Sequence, residues 1–297
     1  MSADATIVVT DSGLGGLSTM AELYRRLASA KAGSAVQLIF VNALADYALG
    51  YNAMKTVEQK VAVFNNVLAA MSERYQPDSI LIACNTLSVI YPETAFAKST
   101  CGRVVGIVET GVTLLLEFLR ADSMSQAIIL GTETTIQSGT YPLRLAEAGI
   151  APTRIVAEAC GKLMMEIERD AVSAATKELI AHHARRAVAR LPRRDVPTAV
   201  SLNCTHYGYA EALFHEAFRA EGIALAACLN PNARLAEAIP VPPATPSSAS
   251  DISAQVVSQV ALEPESIAST ARLLEPIAPP VAAALRAYTH IPDLFAW

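Results

Sequence analysis

Short runs rich in Val, Ile and Leu alternate along the chain with longer segments of helical period. The runs read as strands over 6–10, 36–41, 79–83, 104–108, 127–130 and 198–202. The longer segments, chiefly 17–27, 56–75 and 176–191, read as helices. Near-continuous apolar strands are buried on both faces, and the intervening helices supply the crossovers of a parallel sheet. The expected fold is therefore α/β, with parallel sheets flanked by helices. In such sheets ligands bind beyond the C-terminal ends of the strands, so the residues there carry the argument.

Four strand ends are followed by polar turns: DSGLGGLS at 11–18, CNTLS at 84–88, GTETTIQSGTY at 131–141 and CTHY at 204–207. Cys84 and Cys204 are 120 residues apart, and Asp11 and Thr132 are 121 apart. A strand-plus-turn unit thus recurs at nearly one offset. This predicts two similar α/β lobes facing each other, each supplying one cysteine. The first is expected over 1–106 plus 229–297 and the second over 107–228. The Pro- and Ser-rich stretch 240–250 reads as a linker or exposed loop. Beyond it a strand (252–262), a helix (265–274) and a further element from Pro279 are expected to pack on the body.

Of the 297 residues 52% are hydrophobic and 17% charged, the opposite of the balance that disorder requires. A net charge of -5 without a basic block argues against nucleic acid as a partner. Arg185, Arg186, Arg190, Arg193 and Arg194 read as a solvated helix face, because no base-stacking aromatics accompany them. No apolar run reaches the ~18 residues that span a bilayer, and the opening MSADATIVVTD does not read as a signal peptide. The expectation is a soluble, cytoplasmic protein with no membrane partner. Five widely spaced cysteines without CxxC read as thiols rather than a disulfide framework. Cys101, Cys160 and Cys228 are expected to be packing residues, and His182, His183 and His215 surface ones.

A thiol has pKa ~8.5, so little of it is thiolate at neutral pH. A helix starting just downstream, or donors near the sulfur, lowers that value. Cys84 is followed by Asn85 and Thr86, and Cys204 by Thr205 and His206. One thiolate and one thiol on opposite faces of a carbon suit racemisation: one removes the proton and the other returns one to the opposite face. Other readings stand beside this. DSGLGGLS also suits a tight turn capped by Asp11 or Ser12, but a nucleotide site would need GxGxxG or a phosphate-loop lysine. Cys84, Cys204 and His206 could ligate zinc, though CxH spacing is atypical for it; no metal is expected.

DSGLGGLS, ACNTLS, GTETTIQS and NCTHY resemble, in order and spacing, the four signature stretches of the aspartate/glutamate racemase family, those of bacterial glutamate racemases above all. The resemblance covers roughly residues 5–235. It implies two α/β lobes with the active site in the cleft between them, and no cofactor, pyridoxal phosphate and metal included. It implies Cys84 and Cys204 as the two bases, with Asp11 assisting the first and His206 the second. Ser12, Asn85, Thr86, Thr132, Thr135 and Thr205 would hold the substrate's amino and carboxylate groups. The cysteine matching Cys84 would act on the D-enantiomer and the one matching Cys204 on the L-enantiomer. The implied partner is a small acidic amino acid, glutamate first, with D-glutamate supplied to the cell wall; a homodimer is open. The rivals are another isomerase of this superfamily, acting on aspartate, a hydantoin or another dicarboxylate, or a non-catalytic ligand-binding relative.

Three departures bear on the substrate. Tyr51, Asn52 and Ala53 stand where the family has Pro-Tyr-Gly, whose backbone amides contact substrate. Glu168 falls at the position of an active-site glutamate, while Gly161 and Met165 stand where prolines are common. Gly208 replaces the usual proline after CTHY. The expectation is weakened glutamate turnover, or a substrate carrying a different group at that end.

Overall fold

Among the residues that a computed structural model describes, 5–30, 35–99, 103–240 and 251–297, every strand pairs in parallel. In chain order the strands are β1 (Ala5–Asp11), β2 (Val36–Asn42), β3 (Ser79–Ile82), β4 (Arg103–Gly106), β5 (Gln126–Gly131), β6 (Ile155–Ala159), β7 (Thr198–Asn203), β8 (Leu225–Leu229), β9 (Ile252–Ser258) and β10 (Thr289–His290). One sheet has the order β10-β9-β2-β1-β3-β4 and the other β6-β5-β7-β8. The chain divides into two compact units, Met1–Ile107 with Asn232–Trp297, and Val108–Pro231.

Strand periodicity sorts the first sheet's side chains onto two faces. Ile7, Val9, Leu38, Phe40 and Leu81 join one core with the helices Leu17–Ser29, Pro264–Leu274 and Pro279–Arg286. Val8, Ile39, Val41, Ile80 and Ile82 join another, built on Val63, Phe64, Val67, Leu68 and Met71 of the helix Val57–Tyr75. The helical residues recur at three and four positions, the stripe that an amphipathic helix buries. The tail after residue 250 completes this unit, because β9 lies alongside β2 from Val36↔Ile252 to Asn42↔Ser258.

The second unit repeats part of the first. Its strand order β6-β5-β7-β8 is that of β2-β1-β3-β4, with β5 in the place of β1 and β7 in the place of β3. β5 and β7 are buried along their whole length, which is why both read as mainly apolar runs.

Several sequence expectations change. The run 104–108 is split: β4 ends at Gly106, and Ile107 opens a helix whose first amide donates to Ser88 Oγ at 3.1 Å. A side chain at Gly106 would stand 2.9 Å from that same oxygen, so the glycine permits the switch. The tail strand stops at Ser258, whose hydroxyl turns to donate to the Val260 carbonyl. Thr56 is a cap rather than a helical residue, accepting from the Gln59 amide. β6 and β8 were not expected, since IVAEA and LAACL are short and alanine-rich and lack a run of branched residues. The stretch 241–250 and Cys101 lie outside the described residues.

His183 is buried, not a surface residue, because β6 turns Glu158 into the interior. His183 Nδ1 lies 3.0 Å from Glu158 Oε1, and Arg190 Nη2 2.6 Å from Oε2, with Arg186 Nε at 3.1 Å. A buried carboxylate without such partners would be costly. Part of the basic stretch taken for a solvated face therefore reaches inward to neutralise it.

Candidate active site

The registers of the two sheets place each thiol beside a hydroxyl. β1 and β3 pair up to Thr10↔Ile82, which continued by two residues sets Ser12 beside Cys84. β5 and β7 pair up to Gly131↔Asn203, which continued by one sets Thr132 beside Cys204. The counterpart of Thr132 is thus Ser12 rather than Asp11, and both offsets become 120 residues. Asp11 corresponds instead to Gly131, so the second unit has no carboxylate at that point.

In the first unit, Cys84 caps the short helix Asn85–Ile90 and keeps 6% of its surface exposed. Its sulfur lies 3.2 Å from Ser12 Oγ. Burial pushes the Cys84 thiol well up, and the charge of Asp11 adds to this; the Ser12 hydroxyl and the amides of Leu87 and Ser12 oppose it. The resting group is therefore a thiol with a buried carboxylate at hand. Gly16 lets the first helix approach that carboxylate, since a Cβ there would stand 2.8 Å from Asp11 Oδ2. Asn85 and Thr86, the first residues of the helix after Cys84, are buried as well.

Of the altered stretch, Tyr51 is buried while Asn52 and Ala53 are exposed. The Tyr51 ring stands edge-on to Phe64 at 6.4 Å between centroids, and its hydroxyl is buried without a hydrogen-bond partner. Burial, and then the negative charge of an ionised Cys84, raise the Tyr51 pKa well above that of an ordinary tyrosine. The Ala53 amide donates to the Gly50 carbonyl at 2.7 Å, so it is already engaged within the turn. Ala53 also lines an open pocket of about 490 Å³ with Leu49, Met54, Lys55, Val63 and Trp297, whose lining includes neither Cys84 nor its partners.

In the second unit Cys204 caps the turn Thr205–Ala210 and is likewise 6% exposed. His206 Nδ1 lies 3.8 Å from its sulfur, and His206 Nε2 lies 2.6 Å from Glu168 Oε2. Leu163 and Ile167 anchor the helix Leu163–Arg169 through its buried face, and that helix packs on the turn carrying His206. Burial of the ring works against its charge, yet the bonds to Cys204 and Glu168 and the Glu168 carboxylate prevail. The His206 pKa lies well above the ordinary histidine value. An imidazolium can donate from both nitrogens at once, which is what a sulfur on one side and a carboxylate on the other ask for. Thr132 and Thr135 are joined Oγ1 to Oγ1 at 3.0 Å at the start of the helix Glu133–Gln137, and Thr205 is buried beside Cys204.

Two neighbours were not foreseen as part of this environment. Cys160 is fully buried, and the Tyr207 hydroxyl near it is buried without a hydrogen-bond partner. The Tyr207 pKa is raised well above the ordinary value by burial, then by the charges that Cys160 and Cys204 would carry. The one sequence signal for this was the position of Tyr207 inside CTHY, where it reads equally well as core.

No family model matches the chain. It is 23% identical over 207 residues to the glutamate racemase of Chlorobaculum tepidum, covering 70% of each chain. It is 30% identical over 164 residues to that of Campylobacter jejuni, covering 54% of this chain and 59% of the relative. The crystal structure of glutamate racemase from Francisella tularensis in complex with D-glutamate superposes with a TM-score of 0.68 at 17% identity, covering 93% of this chain and 95% of that one. The chain is thus similar to glutamate racemases in sequence and shares their fold. One departure from the racemase pattern has a local cause. A Cβ at Gly208 would run into Asn230 Nδ2, so the proline usual at that position would require this side chain to move. Among the described residues no helix is long and apolar enough to cross a membrane.

Proposed function

We propose that the protein is a cofactor-independent glutamate racemase, interconverting L- and D-glutamate by proton transfer between Cys84, Cys204 and the substrate α-carbon. The observation that carries this reading is the pair of thiols at topologically equivalent strand ends, each with its own proton-handling group: Asp11 and Ser12 for Cys84, His206 and Glu168 for Cys204. In one direction the Cys204 thiolate, held by the His206 imidazolium, takes the α-proton of L-glutamate. The Cys84 thiol then delivers its proton to the opposite face, giving D-glutamate and leaving Cys84 as thiolate. In the other direction Asp11 accepts the Cys84 thiol proton, and the thiolate deprotonates D-glutamate. Ser12, Asn85, Thr86, Thr132, Thr135 and Thr205 hold the substrate's amino and carboxylate groups, and Tyr51 offers its unpartnered hydroxyl to the same ligand. The product would serve cell-wall synthesis in the cytoplasm.

The test is a panel of amino acids incubated with purified protein in D2O, α-deuteration being followed by NMR. Glutamate should exchange and racemise without added pyridoxal phosphate. A clear preference for aspartate or a hydantoin would move the assignment to another isomerase of the family. No exchange with any of them would favour a ligand-binding relative.

A further inference from the structure

Away from the two thiols, Glu211, His215 and Cys228 bring a carboxylate oxygen, an imidazole nitrogen and a thiol sulfur within 4.8 Å of one another, all three half-buried. We infer that these three residues form a binding site for a divalent zinc ion. The placement follows from the fold. Glu211 and His215 are four residues apart on the helix Glu211–Ala220, hence on one face of it. Leu213, Phe214, Ala217 and Phe218 anchor that helix in the core. It packs on β8, where Cys228 pairs with Val200 of β7. The helix is fixed by burial and β8 by its pairing with β7, so the donors are held close before any ion arrives.

The donor set selects the ion. Calcium and magnesium call for oxygen ligands throughout, whereas zinc accepts thiolate, imidazole and carboxylate together. Around a tetrahedral zinc, with bonds of ~2.0–2.3 Å, ligand atoms lie roughly 3.3–3.7 Å apart. Side-chain rotation of about an ångström closes the difference. Binding exchanges the S–H bond of Cys228 for an S–Zn bond and releases the thiol proton to solvent. Three protein ligands leave a fourth position for water. The site plays no part in the proton transfers proposed above. It joins the start of the helix that follows Thr205–Ala210 to the edge of the sheet, and so clamps the turn carrying His206.

The experiment is a titration of the full chain, stripped with a chelator, with Co(II) as the optical probe and then with zinc in competition. Co(II) should give a thiolate-to-cobalt charge-transfer band saturating at one equivalent, which zinc abolishes. Zinc should also raise the melting temperature by a few degrees. Cys228→Ser and His215→Ala should each weaken binding at least ~10-fold, their metal-free melting curves staying cooperative to show that they fold. Cys204→Ala should keep the band. Absence of a band in the unsubstituted protein, its persistence in Cys228→Ser, or its loss in Cys204→Ala would overturn the inference; the last would put the ion on the proposed catalytic thiol.

Discussion

Replacing Glu168 with Gln tests how the His206 charge is maintained. The Nε2–Oε2 separation is 2.6 Å, and the two side chains retain only 3% and 15% of their surface, so solvent screens the pair little. A hydrogen bond to a charged group in such a setting is worth ~1.5–3 kcal/mol. Its loss should lower the His206 pKa toward the ordinary histidine value. The imidazolium that holds the Cys204 thiolate would be less firmly maintained, and kcat/KM should fall by roughly 10- to 100-fold. The fall must be equal in the two directions, because enantiomers have the same free energy. The direct assay follows the His206 Cε1 proton by NMR across a pH titration in both proteins. Stability supplies a second check with a definite sign. A histidine whose folded pKa is raised contributes stability that is complete below its unfolded pKa of ~6.5 and disappears as pH rises through the folded value. The stability difference between the two proteins should therefore be largest where His206 is charged in both and Glu168 is ionised, and shrink as pH rises through their folded His206 values. If His206 titrates at the same pH in both proteins and kcat/KM is unchanged, the role given to Glu168 is wrong.

Gly16→Ala should lower kcat far more than it lowers stability, since its Cβ would stand 2.7 Å from Asp11 Cβ and strain of ~1–3 kcal/mol would be relieved by moving that carboxylate; kcat beside a urea denaturation curve reads both. Tyr51→Phe removes a buried hydroxyl that has no partner, so the melting temperature should hold or rise, the relieved desolvation being ~1–3 kcal/mol, while KM for glutamate rises. A fall in melting temperature would show that the hydroxyl has a partner in the ligand-free protein. Racemisation should persist in EDTA, because neither thiol needs a metal to move a proton; zinc-dependent turnover in a Cys228→Ser variant, which lacks the inferred zinc ligand, would sink the two-thiol mechanism.

What the sequence made legible was what period and strand-end position encode. The strands around Val8, Ile39, Ile80, Ile129 and Val200 are apolar on both faces and announce a parallel sheet wherever they occur. The edge strands β6 and β8 are not, because Ala157, Ala159 and Ala226 carry little apolar signal. Ser12 and Cys84 could be marked as strand-end residues, but their contact depends on the β1–β3 register, which no local pattern states. The burial of His183 depended on Glu158 of an unseen strand, and a helix face that carries arginines looks solvated until such a partner is known. His215 read as a surface residue and Cys228 as a packing one, and Cys228 lies on a strand that the pattern did not reveal. Tyr51 read as a substitution in a backbone-binding stretch, and only packing against Phe64 shows that its side chain turns inward while those of Asn52 and Ala53 do not.

The central claim is that two thiols share one α-carbon, and α-proton exchange of each glutamate enantiomer in D2O tests it in Cys84→Ala and Cys204→Ala. Each variant should lose racemisation, because one face of the carbon has lost its acid–base group. The remaining thiol should still exchange its own enantiomer: D-glutamate without inversion in Cys204→Ala, and L-glutamate without inversion in Cys84→Ala. Racemisation near the rate of the unsubstituted protein in either variant, or exchange confined to the opposite enantiomer, would contradict the account.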